Sequence, residues 1–163
     1  MKKDAKNKNL TCQPIPKLIV SCRDKEGRDN ALVVDFAANV SFDPPVIMVG
    51  IVPSRHSYPI IEESGCFVVN LVSPSFAREY DYLGSHSGKN EDKFASLQLK
   101  TENGSVVNAP LLTDCPVSVE CTVIGSAMPG THELFFGKVE CVHCEEAYLD
   151  EYGNIDWSKL TLL

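Results

Sequence analysis

The chain has 163 residues, 17.9 kDa, with 44% hydrophobic and 23% charged residues, which suits one folded domain and excludes wholesale disorder or a fibrous repeat. Its 15 basic and 22 acidic residues give a net charge of -7, the opposite of the bias a nucleic-acid binder carries. No apolar run approaches the roughly 18 residues of a membrane span, and residues 1–10 are polar and lysine-rich, without the apolar stretch of a signal peptide. Residues 1–12 read as a flexible leader and 13–163 as one domain. The seven cysteines, Cys12, Cys22, Cys66, Cys115, Cys121, Cys141 and Cys144, form an odd and scattered set. They read as reduced, partly buried thiols of a cytoplasmic protein rather than as a disulfide framework.

In chain order, residues 17–23 (KLIVSCR) alternate as a strand, and 24–30 (DKEGRDN) form a charged turn. Two β-rich runs follow over 31–40 and 45–52, separated by SFDPP, whose prolines forbid a helix. A short helix is predicted over 56–64, with Ile60 and Ile61 apolar, Glu62 and Glu63 facing water and Gly65 as the stop. Residues 66–72 (CFVVNLV) are a strand. Helices are predicted over 76–83 and 91–97 around the Gly- and Ser-rich loop 84–90, and strands over 116–124 and 133–145. Many strands with few helices point to a mainly β protein, a closed antiparallel barrel with helical decorations. A doubly wound sheet needs longer crossover helices.

The common nucleotide, phosphotransfer and hydrolase signatures are absent. Two polar clusters stand out. In the first, Pro53-Ser54-Arg55-His56-Ser57, a strand feeds a helix N-terminus, where free amides favour an anion and Arg55 adds a planar fork. An N-cap and a solvated charge explain that cluster equally well. The second, Ser85-His86-Ser87-Gly88-Lys89 followed by Asp92-Lys93-Phe94, is by itself an ordinary surface loop. In an acidic protein, a bound anion needs a local basic pocket, with Arg55, Lys89 and Lys93 as its candidates. Cys141-Val142-His143-Cys144 lies in a strand, where residues three apart point to opposite faces, and no second ligand pair is evident. Neither a metal nor dithiol chemistry is expected there.

Several stretches occur in a specific order: 30–38 (NALVVDFAA), 43–45 (DPP), 53–57 (PSRHS), 63–70 (ESGCFVVN), 87–94 (SGKNEDKF), 109–111 (APL), 115–121 (CPVSVEC) and 130–137 (GTHELFFG). Together they resemble the flavin reductase-like family with an FMN-binding split barrel, Greek-key and antiparallel, and its flavoredoxin branch in particular. The resemblance implies FMN held noncovalently at a homodimer interface. It places Asn30, Val33, Val34, Asp35, Phe36 and Ala37 along the flavin. Ser54, Arg55, His56 and Ser57 fall on the phosphate segment, with Ser87 and Lys93 on a second anion-contacting loop. His132 falls where it tunes the flavin, though as a residue alone it is only a turn histidine. No residue is assigned as catalytic with certainty.

The chain departs from the family pattern at Asp35, where relatives carry a small residue, and after 156–160, where relatives usually continue. The implied activity is NAD(P)H-dependent electron transfer to flavin or another acceptor. Its main rival is a non-enzymatic carrier that keeps its FMN and exchanges electrons with a protein partner. A split barrel holding haem or pyridoxal phosphate in place of FMN also competes, as does a domain that binds only a partner. Nucleic acid and membrane are not expected partners.

Overall fold

The computed structural model describes residue 3 and residues 6–163, so part of the expected flexible leader lies outside the described residues. The strands are β1 Leu18–Arg23, β2 Asp29–Val34, β3 Phe36–Phe42, β4 Pro45–Ile51, β5 Cys66–Leu71, β6 Thr101–Asn103, β7 Pro110–Leu112, β8 Val117–Ala127 and β9 Glu133–Cys144. The α-helices are α1 Ser57–Ser64, α2 Ala77–Ser85 and α3 Lys93–Leu97. None is long and apolar enough to cross a membrane.

Seven strands form one antiparallel sheet in the order β2-β1-β5-β8-β9-β4-β3. In that order β2 and β3 are the two edges, yet a single bent residue, Asp35, joins them in the chain. Edges one residue apart force the sheet to curl until its margins approach. The result is mainly β, as the strand pattern predicts, but it is the split barrel that the family resemblance implies rather than a closed one, because the edge strands β2 and β3 do not pair. The run expected over 31–40 is therefore two strands rather than one. It breaks at Asp35, a poor strand former, where the barrel needs a corner.

The barrel interior holds Val20 and Cys22 of β1, Val34 of β2, Val49 of β4, Phe67 and Val69 of β5, Cys121 of β8 and Phe135 of β9, with Ile60 and Ile61 of α1 closing one end. Phe67 is fully buried, and a Cβ on Gly137 would collide with its ring. Only glycine lets β9 pass that close, and truncating Phe67 would cost about 3–5 kcal/mol. α1 ends where Gly65 takes a left-handed φ of 67° and donates to the Ile61 carbonyl.

Outside the barrel, Phe76 just before α2 and Tyr80 and Leu83 within it pack with Ile19, Ala31 and Val72. A 3₁₀ turn at Pro74–Phe76 leads into α2, so the helix runs to Ser85 rather than stopping at Leu83. α3 begins at Lys93 because Asp92 caps it, accepting the Ala95 amide at 3.0 Å. The hairpin β6–β7 is a feature the sequence pattern did not reveal, since three-residue strands carry no measurable periodicity.

Buried polar groups pin that hairpin to the sheet. Asn70 donates to Ser21 Oγ at 2.9 Å and accepts from Ser118 Oγ at 2.8 Å and the Leu112 amide at 3.1 Å. Ser21 in turn donates to the Pro110 carbonyl at 2.6 Å. Among the described residues no buried side-chain nitrogen or oxygen lacks a partner.

Candidate functional site

The sheet margin at β2, the N-terminus of α1 and the loop after α2 converge on a cavity of about 170 Å³. From the predicted residues it gathers Asn30, Val33, Asp35, Arg55, His56, Ser57, Ser87 and Lys93, joined by Leu32, Leu83, Gly84, His86 and Gly88. The two polar clusters, about thirty residues apart in sequence, thus face one another. Asn30 and Ser57 are both buried and locked together, with Asn30 Nδ2 donating to Ser57 Oγ at 2.7 Å. That bond fixes the first turn of α1 against β2. Gly88 closes the opposite wall so tightly that an added Cβ would stand 2.5 Å from Asn30 Oδ1 and 2.7 Å from His56 Cδ2.

The charges here have distinct roles. Arg55 is exposed at the rim, with no ion-pair partner among the described residues. Arg23 and Arg28, by contrast, are engaged with Asp29 and Asp24 at 2.6 Å and 2.7 Å. Partial burial pushes the His56 imidazole below its usual value, and the nearby Lys89, Lys93 and Arg28 push it further the same way. Both effects favour the neutral imidazole over the cation.

Lys93 corrects the expectation of an anion-binding side chain. It is 3% exposed, and its ammonium donates to the carbonyls of Ala31, Leu83 and His86 at 2.5, 3.1 and 3.2 Å. An ammonium has three donors, and all three are occupied. Burial lowers its pKa to about 8, against the opposing pull of Cys22 and Glu91. Lys93 is a strut that joins β2, α2 and the loop, and its charge backs the cavity. Lys89, by contrast, is exposed and donates to the Ser54 carbonyl at 2.9 Å, which engages one of its three donors.

Other predicted residues lie elsewhere. Val34 is buried with the barrel core and Ala37 packs against it, so neither side chain lines the cavity. Ser54 is exposed and outside the lining. Phe36 and His132 form a separate pair on the β3–β4–β9 edge, ring centroids 4.6 Å apart in an edge-to-face arrangement. Gly50, opposite Phe36 in β4, is flanked by both. Thr131 Oγ1 lies 2.9 Å from His132 Nδ1. Phe36 is 39% exposed, and Val40 and Phe42 of the same strand are exposed too.

A larger cavity of about 600 Å³ lies on the other side of Gly88, sharing Asn30 and His56. Its lining includes Asp24, Asp29, Glu91 and Asp92, and its Arg28 is already paired. It suits an anion poorly, so the smaller cavity is the candidate site.

The chain matches the family described as flavin reductase like domain over residues 11–157. It belongs to that family. Among solved structures it is similar to the flavoredoxin of Desulfovibrio vulgaris (Miyazaki F), with 33% identity and a TM-score of 0.90 over 98% of this chain and 85% of that one. It is also similar to an FMN-binding protein from Thermus thermophilus, at 26% identity and a TM-score of 0.79 over 95% and 84% of the two chains. A protein of Aeropyrum pernix is 27% identical over 86% of this chain but only 52% of its own length, so the chain spans about half of that relative.

Within this family fold, the lining residues that the sequence did not single out are Leu32, Leu83 and Gly84. They give no chemical signal of their own. Leu83 and Leu32 are apolar residues of α2 and β2 whose place at the cavity follows only from how the helix packs on the sheet edge. His86 and Gly88 fall inside the polar loop cluster, and their part is a matter of close approach rather than of charge.

Proposed function

We propose that this chain binds FMN noncovalently and transfers electrons through it, from NAD(P)H to flavin or another acceptor, as a homodimer in a reducing cytoplasm. The observation that carries the reading is the convergence of the unpaired Arg55, the α1 N-terminus and Ser87 on one small polar cavity. A helix start with a guanidinium beside it is suited to a phosphate dianion. Asp35, a lining residue, directly precedes Phe36 in the chain, and on this reading the Phe36–His132 pair forms the aromatic end of the same site.

About 170 Å³ is below the roughly 300–1,000 Å³ of sites that enclose a whole ligand of this size. One chain thus offers room for the phosphate and part of the sugar chain, while the exposed Phe36, Val40 and Phe42 supply an apolar margin for a second copy to cover. Bound FMN would supply the redox chemistry, taking up a hydride and passing electrons on. The protein's residues orient and tune. Arg55 and the first amides of α1 hold the phosphate, and Asn30 keeps Ser57 in place. Phe36 presents a ring face, and His132, its Nδ1 beside Thr131, can donate through Nε2 to a negatively charged acceptor. Asp35 lines the same cavity and opposes added negative charge, which favours the oxidised cofactor.

The free thiols support the cytoplasmic assignment. All seven cysteines are free, and burial pushes Cys22, Cys115 and Cys121 up to about 12, which leaves them unreactive.

The likeness to flavoredoxin favours a second reading, a carrier that keeps its FMN and serves a protein partner. Anaerobic titration separates the two. The flavin absorption of the reconstituted protein should bleach on adding NADH or NADPH, with turnover when free FMN is the acceptor. Bleaching by a ferredoxin-type donor alone would select the carrier. Failure to take up FMN at all would sink both.

A further inference from the structure

Cys141 and Cys144 do not act together. Cys144 packs against the barrel core, whereas Cys141 pairs across the sheet with Glu120, and His143 with Ser118. Cross-strand partners share a face, as do residues two apart on one strand. Glu120, Cys141 and His143 therefore project from the same outer face. A carboxylate oxygen, a sulfur and an imidazole nitrogen, one from each, all lie within 4.8 Å of one another.

Glu120 is wholly buried. Its Oε1 accepts from the Ser105 amide at 2.8 Å and stands 2.5 Å from His143 Nε2. Its Oε2 accepts from the amides of Val106 and Val107 at 2.8 and 2.7 Å. Among the described residues its one ion-pair partner is His143, and no lysine or arginine reaches it. A buried carboxylate is thus fixed by three amides on one side and faces a nitrogen and a sulfur on the other.

We propose that Glu120, Cys141 and His143 form a binding site for a thiophilic divalent cation of the zinc class, separate from the flavin site and independent of that reading. A carboxylate, an imidazole and a thiolate match zinc and exclude magnesium and calcium, which take oxygen ligands. Zinc bonds of about 2.0–2.3 Å set tetrahedral ligand atoms about 3.4–3.6 Å apart, inside the observed spread. The cation takes the place of the hydrogen bond between Oε1 and Nε2. That contact opens by about 1 Å, the difference between the tetrahedral edge and a hydrogen bond.

The amide cradle holds Glu120 still, so His143 makes the movement. Its side chain is 32% exposed and lines two surface cavities, of about 280 and 400 Å³, which leave it room to move and a wet side from which a fourth, water ligand can come. On binding, the Cys141 thiol loses its proton to solvent, and the Nε2 proton passes to Nδ1 or to solvent. One carboxylate and one thiolate then neutralise the dication.

The test uses the whole chain, treated with a chelator and then equilibrated with Co²⁺ alone or Zn²⁺ alone. One equivalent should bind, with a thiolate-to-cobalt charge-transfer band in the near ultraviolet and proton release on titration. Cys141→Ser and His143→Ala should each weaken binding by more than the roughly ten- to hundredfold typical of outer-shell substitutions, and remove the band. Cys144→Ser should change neither affinity nor band. FMN uptake, measured on the same variants, should be unaltered, which separates failure here from failure of the flavin reading. Less than stoichiometric binding by the wild type, a Cys141→Ser variant with unchanged affinity, or a Cys144→Ser variant as defective as Cys141→Ser would each overturn the assignment.

Discussion

The two ends of the proposed flavin site are built differently. At the polar end the buried groups are held by their own chain, Asn30 by Ser57 and Lys93 by three carbonyls, with Arg55 left at the rim without an ion pair among the described residues. At the aromatic end, Phe36 and His132 touch each other but stand at an exposed edge, with Phe42 wholly in solvent at 101%. Buried polar groups have to be satisfied within the fold, because leaving one unpaired costs about 1–3 kcal/mol. Exposed aromatic surface can wait for a partner. Under the proposed function, the contrast assigns the phosphate to an end preformed in one chain and the ring to an end that a second copy completes.

Breaking the polar end from behind should have the largest effect. Lys93→Ala removes one ammonium and orphans three carbonyls, and it should lower folding stability by about 3 kcal/mol, read from urea denaturation. Lys93→Met, which keeps the stem, should lose less. If Lys93 were a phosphate ligand instead, stability would hold and only FMN affinity would fall.

Next comes the aromatic end. Phe42→Asp touches nothing within the chain, so the melting temperature should stay put while self-association weakens by roughly thirtyfold, the loss expected for about 2 kcal/mol at an interface anchor. Sedimentation velocity over a concentration series measures it. An unchanged dimer, or a monomeric wild type, would remove the second copy from the site.

Arg55→Ala sharpens the same comparison from the ligand's side. It should weaken FMN by roughly tenfold or more, the value of a charge-assisted hydrogen bond, and leave riboflavin nearly unaffected. Equal losses for the two ligands would move the phosphate away from Arg55.

The uneven construction also explains what could be read in the sequence. The interior strands were legible because β-branched runs such as CFVVNL in β5 leave little alternative. The corner at Asp35 was not, since 31–40 is apolar on both sides of it and the break exists only because two sheet edges must meet. Arg55 and Ser57 were legible as a strand-to-helix junction, and both line the cavity. Lys93 was visible as a charge, but the course of its stem depends on where β2 and α2 come to lie around it. Glu120 passed for an ordinary strand residue. Its burial comes from the loop of Ser105, Val106 and Val107 folding over it, a contact spanning about fifteen positions that no local pattern encodes.

The smallest expected effect concerns His56, which lines the cavity beside Arg55. Its folded pKa lies below the ordinary 6.5 because burial and neighbouring cations disfavour the imidazolium. Between the folded value and 6.5 the unfolded chain binds a proton that the folded chain does not, so stability falls as pH drops through that window. His56→Gln removes the titration and should flatten this limb, seen by comparing urea midpoints at about pH 5.5 and about pH 7.5. A phosphate dianion in the cavity stabilises the imidazolium and raises the folded pKa. FMN should therefore bind with proton uptake in the same range, and riboflavin without it. An equal proton count for both ligands would separate His56 from the phosphate, leaving Arg55 and the α1 amides as the whole of the anion-binding end.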